Sequence, residues 1–393
     1  MDLRNLPEQL HPLQRVNQRR NLIKRELDID LSALEVQERS IGDAEKKNCE
    51  QMFGAVPIPV GYAGPLTVTF SNRAKAEIHL PLATTEGALV ASVNRGCKAA
   101  STAGVTIVKS VHHGITRSIA FGLISHHSKL KASLEDIVTS IRQHEGLWRH
   151  AAESTSGHLK VKGFDLDLMK QYVFLTVAFD TDEAMGMNMA TIASQAIADF
   201  LTEKTKGIRC ITIAANVDSD KKASKRTHER GRGQEVVCSV HLSALTIADI
   251  LRTTPEAMLA VADAKLKAGS ALAGAIGKNL HAANIIAALY LSTGQDAAHV
   301  VEGSLADTTV TARGDGLDIE VRLPAIIVGV RGGGTGLPAQ TSCLQLLLKP
   351  NVNLPKKIQL SESIAAAVLA GEISLLAAQS SQDLAKAHEK LAR

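Results

Sequence analysis

Four side chains of this sequence could do chemistry together, and each also has an ordinary reading. Glu86 stands in ATTEGA, where a strand-like run gives way to a helical one. A carboxylate there either complements a helix start or, in a cleft of small residues, becomes an acid whose pKa desolvation raises. Asp296, in STGQDAA, follows a predicted helix end and gains nothing from that helix's dipole; the alternative is that it starts the next helix. Lys221 lies in Asp220-Lys221-Lys222, within the most charged stretch, residues 217–235, which also holds Lys225, Arg226, Glu229, Arg230 and Arg232. Such a loop is either solvated or binds phosphate, from a nucleic-acid backbone or a phosphorylated cofactor. No helix-turn-helix or finger spacing accompanies it, which favours the small molecule. His388, near the C-terminus, reads on local grounds as a solvated histidine.

Other groups are weaker. RGGGTG at 331–336 follows a strand and opens a helix, but it is not GxGxxG; alone it is a tight turn or a place where a ligand meets main chain. DEAMGMNMAT at 182–191 also opens a helix after a strand, and Met185, Met187 and Met189 could simply be core. His112-His113 and His126-His127 fit no metal-ligand spacing.

These residues need elements to hold them. Residues 1–50 are polar, with helical spacing in 31–50, and predict an arm or small helical domain. The Pro/Gly cluster at 56–65 predicts turns, and 67–70 and 76–80 predict strands. From Thr84 the pattern is helical, with Ala88, Ala91, Val93 and Cys97 on one small-residue face. Residues 105–124 predict two strands, 131–153 an amphipathic helix, 159–180 two strands, 185–204 a helix and 209–216 a strand. That order suggests a small α+β sandwich. Strand 236–242, helices from Pro255 and to Gly294, strand DIEVRLP, helix PAQTSCLQLLL and an Ala-rich helical pair broken near Ser380 complete the chain, with Ser380 and Asp383 marking the second start.

The 393 residues are 45% hydrophobic and 21% charged, which predicts two or three packed domains and excludes wholesale disorder. With 1 Trp, 3 Tyr and 7 Phe, stacking-based recognition of single-stranded nucleic acid is not expected. A net charge of +4 is too small for a nucleic-acid signal unless clustered. Five scattered cysteines without a CxxC argue against a disulfide framework or thiolate zinc site, and predict reduced thiols in a cytoplasmic protein. The N-terminus has no apolar signal-peptide region, and no run of 18 uncharged apolar residues predicts a membrane span.

Taken together, VGYAGPL (60–66), ATTEGALVASVNRGCKA (83–99), ITR (115–117), DEAMGMNM (182–189), NVDSDKK (216–222), GRGQEVVC (231–238), HAANIIAALYLSTGQDAA (281–298), VGVRGGGTGLPAQTSCLQ (328–345) and LAKAHEK (384–390) resemble, in order and spacing, the 3-hydroxy-3-methylglutaryl-coenzyme A (HMG-CoA) reductase family. The resemblance covers about residues 49–393, and its DKK and GGGT forms look like class I, the class of eukaryotes and archaea. By matched position it implies Glu86, Lys221, Asp296 and His388 as catalytic residues, and Arg117, Asp220, Lys222 and Asn284 as substrate-binding residues. It further implies Ser156, Glu183, Met185, Gly186, Met187, Asn188, Gly333, Gly334 and Thr335 as cofactor-binding residues. The basic loop and VGYAGP would meet coenzyme A. The implied reaction reduces a thioester to mevalonate with two NADPH, or NADH, and requires no metal.

The implied fold is α+β: a helical arm (1–54), a large substrate domain (55–117 and 225–393), an inserted ferredoxin-like cofactor domain (118–211) and a catalytic loop (212–224). A homodimer or homotetramer with the site between subunits is implied too. The sequence departs from the family pattern at Glu183 (usually Asp), Gly157 (an Arg meeting the cofactor 2′-phosphate), Ala214 (a substrate-binding Ser) and Glu50–Gly54, which stands for the dimer motif ENVIG. Two rivals remain: a reductase of another acyl-coenzyme A, and a non-enzymatic phosphate- or nucleic-acid-binding protein.

Overall fold

The computed structural model describes residues 3, 6–7, 9–124 and 133–381. His388, Asp383 and the His126-His127 pair lie outside the described residues. Among the described residues the fold is a mixed α+β arrangement with nine strands: β1 Val60–Thr69, β2 Lys75–Ala83, β3 Val105–Leu123, β4 Lys160–Met169, β5 Tyr172–Asp180, β6 Ile208–Thr212, β7 Gly233–Leu242, β8 Asp307–Arg313 and β9 Gly316–Ile326.

The long β3 belongs to two sheets. Its first half sits between β1 (parallel) and β7 (antiparallel) in the order β2-β1-β3-β7-β9-β8. From Ile115 onward it pairs antiparallel with β5 and β6, giving β4-β5-β3-β6. The two strands expected over 105–124 are therefore one. Its register with β7 shifts between His112 and Gly114, and Gly114 takes φ +88, so the strand changes sheets at an irregularity rather than a turn.

In the second sheet the chain order is strand, helices, two strands, helix, strand. Leu134–Gln143, Glu145–Glu153 and Met187–Lys204 enclose a core that includes Ile119, Phe121, Trp148, Leu175 and Ile197. The single helix expected over 131–153 is broken at His144, which ends the first helix and precedes the second.

The larger core surrounds the Lys356–Ser380 helix. This is the described helix long and apolar enough to cross a membrane, and 94% of its apolar window is buried inside the protein. Its Ala-rich surface lets the Leu89–Ala100 helix approach closely: a Cβ at Gly96 would collide with the main chain of Ala370. The expected small face is thus rotated. Gly96, Cys97, Ala99 and Ala100 are buried, whereas Ala91 is exposed. Two carboxylates buried in the long helix are fully engaged. Glu362 accepts from Ser71 N and Oγ, and Glu372 accepts from Leu280 N, His281 N and Thr308 Oγ1. Glu372 therefore satisfies free N–H groups at the start of the Ala282–Thr293 helix.

The N-terminal region differs from its expected pattern. The main helix there is Pro12–Leu27, while 31–50 holds short pieces at Ser32–Leu34, Glu38–Ile41 and Ala44–Lys47. That polar helix is held by a small contact of Val16 with Ala44 and Met52, and by Arg19 Nη1 on Glu45 Oε1 at 2.9 Å. Hydrophobic periodicity cannot register either.

Candidate active site

Lys221 sits on a tightly wound loop between β6 and the Lys225–Arg230 helix. Asn216, Ser219 and Lys221 take φ of +64, +54 and +57. Left-handed backbone costs a non-glycine residue roughly 1–2 kcal/mol, so the loop must be held by its surroundings. Lys221 Nζ meets Asp296 Oδ2 at 2.7 Å, and Lys221 N–H donates to Glu302 Oε1 at 2.6 Å. The hydrogen bond to Asp296 raises the lysine's pKa above its ordinary value, against partial burial. Burial pushes Asp296 up, but bonds from Lys221 and Ala298 N–H and the nearby His299 outweigh it and hold Asp296 below its ordinary value.

Around this pair lies a cavity of about 670 Å³, lined by the turn Ala184–Met189, by Gly294–Asp296 and by Gly332–Thr335. The two glycine-containing loops touch directly: Gly294 takes φ +71, and a Cβ there would strike Gly334 main chain. The Met187–Lys204 helix starts at the cavity. A recess of about 240 Å³ continues from it, lined in part by Ser156, His158, Asp182, Glu183 and Arg331. The matched cofactor residues Met185, Gly186, Met187, Asn188, Gly333, Gly334 and Thr335 all line the main cavity, and Ser156 lines the recess. Glu183 also borders the recess, but its two oxygens accept from Lys356 N and Lys357 N and so hold the start of the long core helix.

The matched substrate residues form two groups. Arg117 Nη1 lies 3.4 Å from Asp218 and 3.5 Å from Asp220, and Lys222 Nζ donates to Asp220 O. Burial raises the pKa of Asp218. Glu86, in contrast, is exposed before the Leu89–Ala100 helix and accepts from Asn284 Nδ2 at 3.1 Å. Asn284 lies near the start of the Ala282–Thr293 helix and Asp296 just past its end. Thr293 lies nine residues beyond Asn284, about 13.5 Å along the helix at 1.5 Å per residue. Glu86 and Asp296 thus belong to opposite ends of one helix. Asp296 is ionised against Lys221.

The basic loop is also less free than its composition suggested. Arg226 and Arg230 pair with Asp165, Arg226 also with Asp167, and Arg232 is only 1% exposed. Arg232 binds Asp220, Glu302, Thr116 and the Met187 sulfur. Asp220, His299 and Glu302 cluster tightly, and that guanidinium supplies positive charge to both carboxylates. Sequence reasoning passed over Glu302 and His299. Their spacing from Asp296, three and six residues on, was the available signal.

The sequence matches the model of the hydroxymethylglutaryl-coenzyme A reductase family over residues 15–393. It is 39% identical to the 3-hydroxy-3-methylglutaryl-coenzyme A reductase of Methanocaldococcus jannaschii over 357 residues, covering 89% of this chain and 86% of that one. It is 40% identical to the Aeropyrum pernix reductase over 353 residues, covering 88% and 82%. Its fold is similar to that of the class II reductase of Streptococcus pneumoniae bound to NADPH, with a TM-score of 0.66 at 19% identity, covering 92% of this chain and 96% of that one. The chain belongs to the hydroxymethylglutaryl-coenzyme A reductase family.

Proposed function

We propose that this HMG-CoA reductase works as a class I-like enzyme in which Lys221 is the electrophile, Asp296 its fixed counter-ion, and Glu86 of a partner subunit the proton donor. The observation that carries this reading is the Lys221–Asp296 contact at 2.7 Å beside a cavity lined by the matched cofactor residues. Addition of hydride to a thioester or aldehyde carbon creates an oxyanion, and a preorganised ammonium stabilises it far better than water does. Asp296 keeps that ammonium charged and aimed. His388 would protonate the departing coenzyme A thiolate, since an imidazole titrates near neutral pH. Arg117, with Lys222 and Asp220, would take the free carboxylate of the acyl group, displacing guanidinium contacts that now reach Asp218 and Asp220. Asn284, bound to Glu86, would orient that acid.

The cavity fits a nicotinamide dinucleotide. Its volume lies in the range of small-molecule sites, and the start of an 18-residue helix supplies free N–H groups and a positive dipole end toward phosphate. When bound, the nicotinamide supplies hydride. Met185, Gly186, Met187, Asn188, Gly333, Gly334 and Thr335 would hold it, Ser156 would border its ribose end, and Glu183 would fix the turn that carries Met185. In domain terms, 118–211 is the inserted ferredoxin-like cofactor unit, 212–224 the catalytic loop, 55–117 and 225–393 the substrate and coenzyme A unit, and 1–54 the arm. A cytoplasmic homodimer or homotetramer completes the reading.

Oxidation of NADPH or NADH is to be followed with HMG-CoA, acetyl-coenzyme A and succinyl-coenzyme A, for the wild type and Lys221→Ala. HMG-CoA alone should support rapid turnover. Loss of the ammonium should cost at least 10²–10³-fold in rate, on the order of a lost oxyanion donor. The pair is partly exposed, so stability should change by less than about 1 kcal/mol. Wild-type turnover by Lys221→Ala, or equal rates with the other thioesters, would remove the assignment.

A further inference from the structure

We infer that Glu302 is a positioning residue that, together with Asp296, clamps Lys221 at two points. This rests on the reading of Lys221 as the catalytic ammonium. Asp296 holds the side-chain end of Lys221 at 2.7 Å, and Glu302 holds its main-chain end at 2.6 Å. Both acids come from one seven-residue stretch. His299, between them and fully buried, lies 3.4 Å from Glu302 Oε1 through Nδ1 and 3.9 Å from Asp296 Oδ2 through Nε2. The same short segment therefore fixes where the lysine's Cα sits and where its Nζ points.

Three features argue that Glu302 is aimed at the loop and is more than a counter-ion. Glu302 is completely buried, as is Arg232 apart from 1%. A carboxylate that only neutralises a guanidinium commonly takes it with both oxygens. Here Oε1 is shared by Arg232 Nη1 at 2.9 Å, the Lys221 amide and, at 3.4 Å, His299 Nδ1, while Oε2 is buried without a partner. The amide it accepts from belongs to a non-glycine residue at φ +57, a conformation that persists only where neighbours enforce it. Arg232 then ties the clamp to the rest of the site, because it also bonds Asp220 in the loop, Thr116 beside Arg117, and Met187 at the cofactor turn.

The test uses the full-length enzyme with HMG-CoA and a saturating nicotinamide cofactor, reading kcat, both KM values and the melting temperature. Glu302→Gln keeps an oxygen for the Lys221 amide and should retain kcat within about fivefold. Glu302→Leu combined with Arg232→Met replaces the buried pair with apolar side chains of similar size, a change that commonly leaves stability intact. That double variant should melt near the wild type yet lose roughly 10²-fold in kcat. Lys221→Ala is the comparator. A well-folded double variant with wild-type kcat overturns the clamp, and so does a rise confined to the HMG-CoA KM, which would trace the effect to Asp220. A Glu302→Gln variant as slow as the double variant overturns the amide contact as its basis. An active Lys221→Ala would instead remove the reading of the lysine, whatever Glu302 does.

Discussion

At the scale of single residues, the recess beyond the cofactor turn bears on the choice between NADPH and NADH. A phosphate-binding site needs cations, and an arginine–phosphate pair is worth about 1.5–3 kcal/mol, or roughly 10–100-fold in affinity. This recess offers one such group, Arg331, at the rim it shares with the main cavity, and has a glycine where the family arginine stands. Gly157 is exposed, with nothing near the position of an added Cβ. Lys160, three residues beyond Gly157, is paired with Glu153 at 3.4 Å. Asp182, half-exposed and bound to His158, lines the same recess; its carboxylate would repel a 2′-phosphate but accept a hydrogen bond from a 2′-hydroxyl. The kcat/KM for NADH should therefore lie within about tenfold of that for NADPH, and Gly157→Arg should shift the ratio toward NADPH by about 10-fold or more. A hundredfold NADPH preference in the wild type would contradict this. The sequence pointed at Gly157, but not at Asp182, because a carboxylate's effect here depends on which recess it faces.

At the scale of elements, three strands are joined by one acid. Glu235 on β7 accepts from His113 and Lys109 on β3 and from Arg322 on β9, at 2.7, 3.2 and 2.8 Å. Burial alone would raise its pKa, but those bonds, with the charge of Arg322, outweigh burial and hold it at about 2. A carboxyl depressed from 4.5 to about 2 contributes roughly 3 kcal/mol to folding at neutral pH. That contribution is complete above the unfolded pKa and disappears as pH falls through the folded one. Urea unfolding should find Glu235→Gln less stable than the wild type by about this amount at pH 7, with the gap narrowing below about pH 4.5. A gap that does not change with pH would place the effect in packing.

The same long-range pairing explains what was legible beforehand. Element types came through where local pattern decides them, as in the strands at 236–242 and DIEVRLP, the helix start at Pro255 and the helix end at Gly294. The continuity of β3, the break at His144 and the Pro12–Leu27 helix did not, because each is decided by partners distant in the chain or by polar capping. Glu362 answers Ser71 across 291 positions, a relation that no periodicity encodes. The lysine loop, the glycine turns and Asp296 were visible as motifs. Their backing by Arg232 and Glu302 was not, because a buried ion pair looks like ordinary surface charge in a sequence.

At the scale of the whole molecule, the proposed sharing of Glu86 between subunits makes a prediction about how many chains form one site. Glu86 belongs to the Asn284 end of the Ala282–Thr293 helix, and Asp296 follows the other end. Beside Glu86, the start of β1 and the segment before it expose Val56 (76%), Val60 and Tyr62. Thr84 N–H donates to Pro59 O, so this apolar edge is bound to the loop that carries the acid. On the proposed shared site, this edge is where two copies would pair, with the Glu86 of one completing the site of the other. In a two-fold dimer the same surface serves both copies, and two equivalent sites result. Mixing two inactive variants tests this directly. Glu86→Gln and Lys221→Ala homodimers should each be nearly inactive, whereas co-expression or joint refolding gives heterodimers with one site intact. Random association then restores about a quarter of wild-type activity, since half the dimers are mixed and each mixed dimer has one working site of two. If Glu86 and Lys221 act within a single chain, the mixture has no intact site and remains as inactive as its parents.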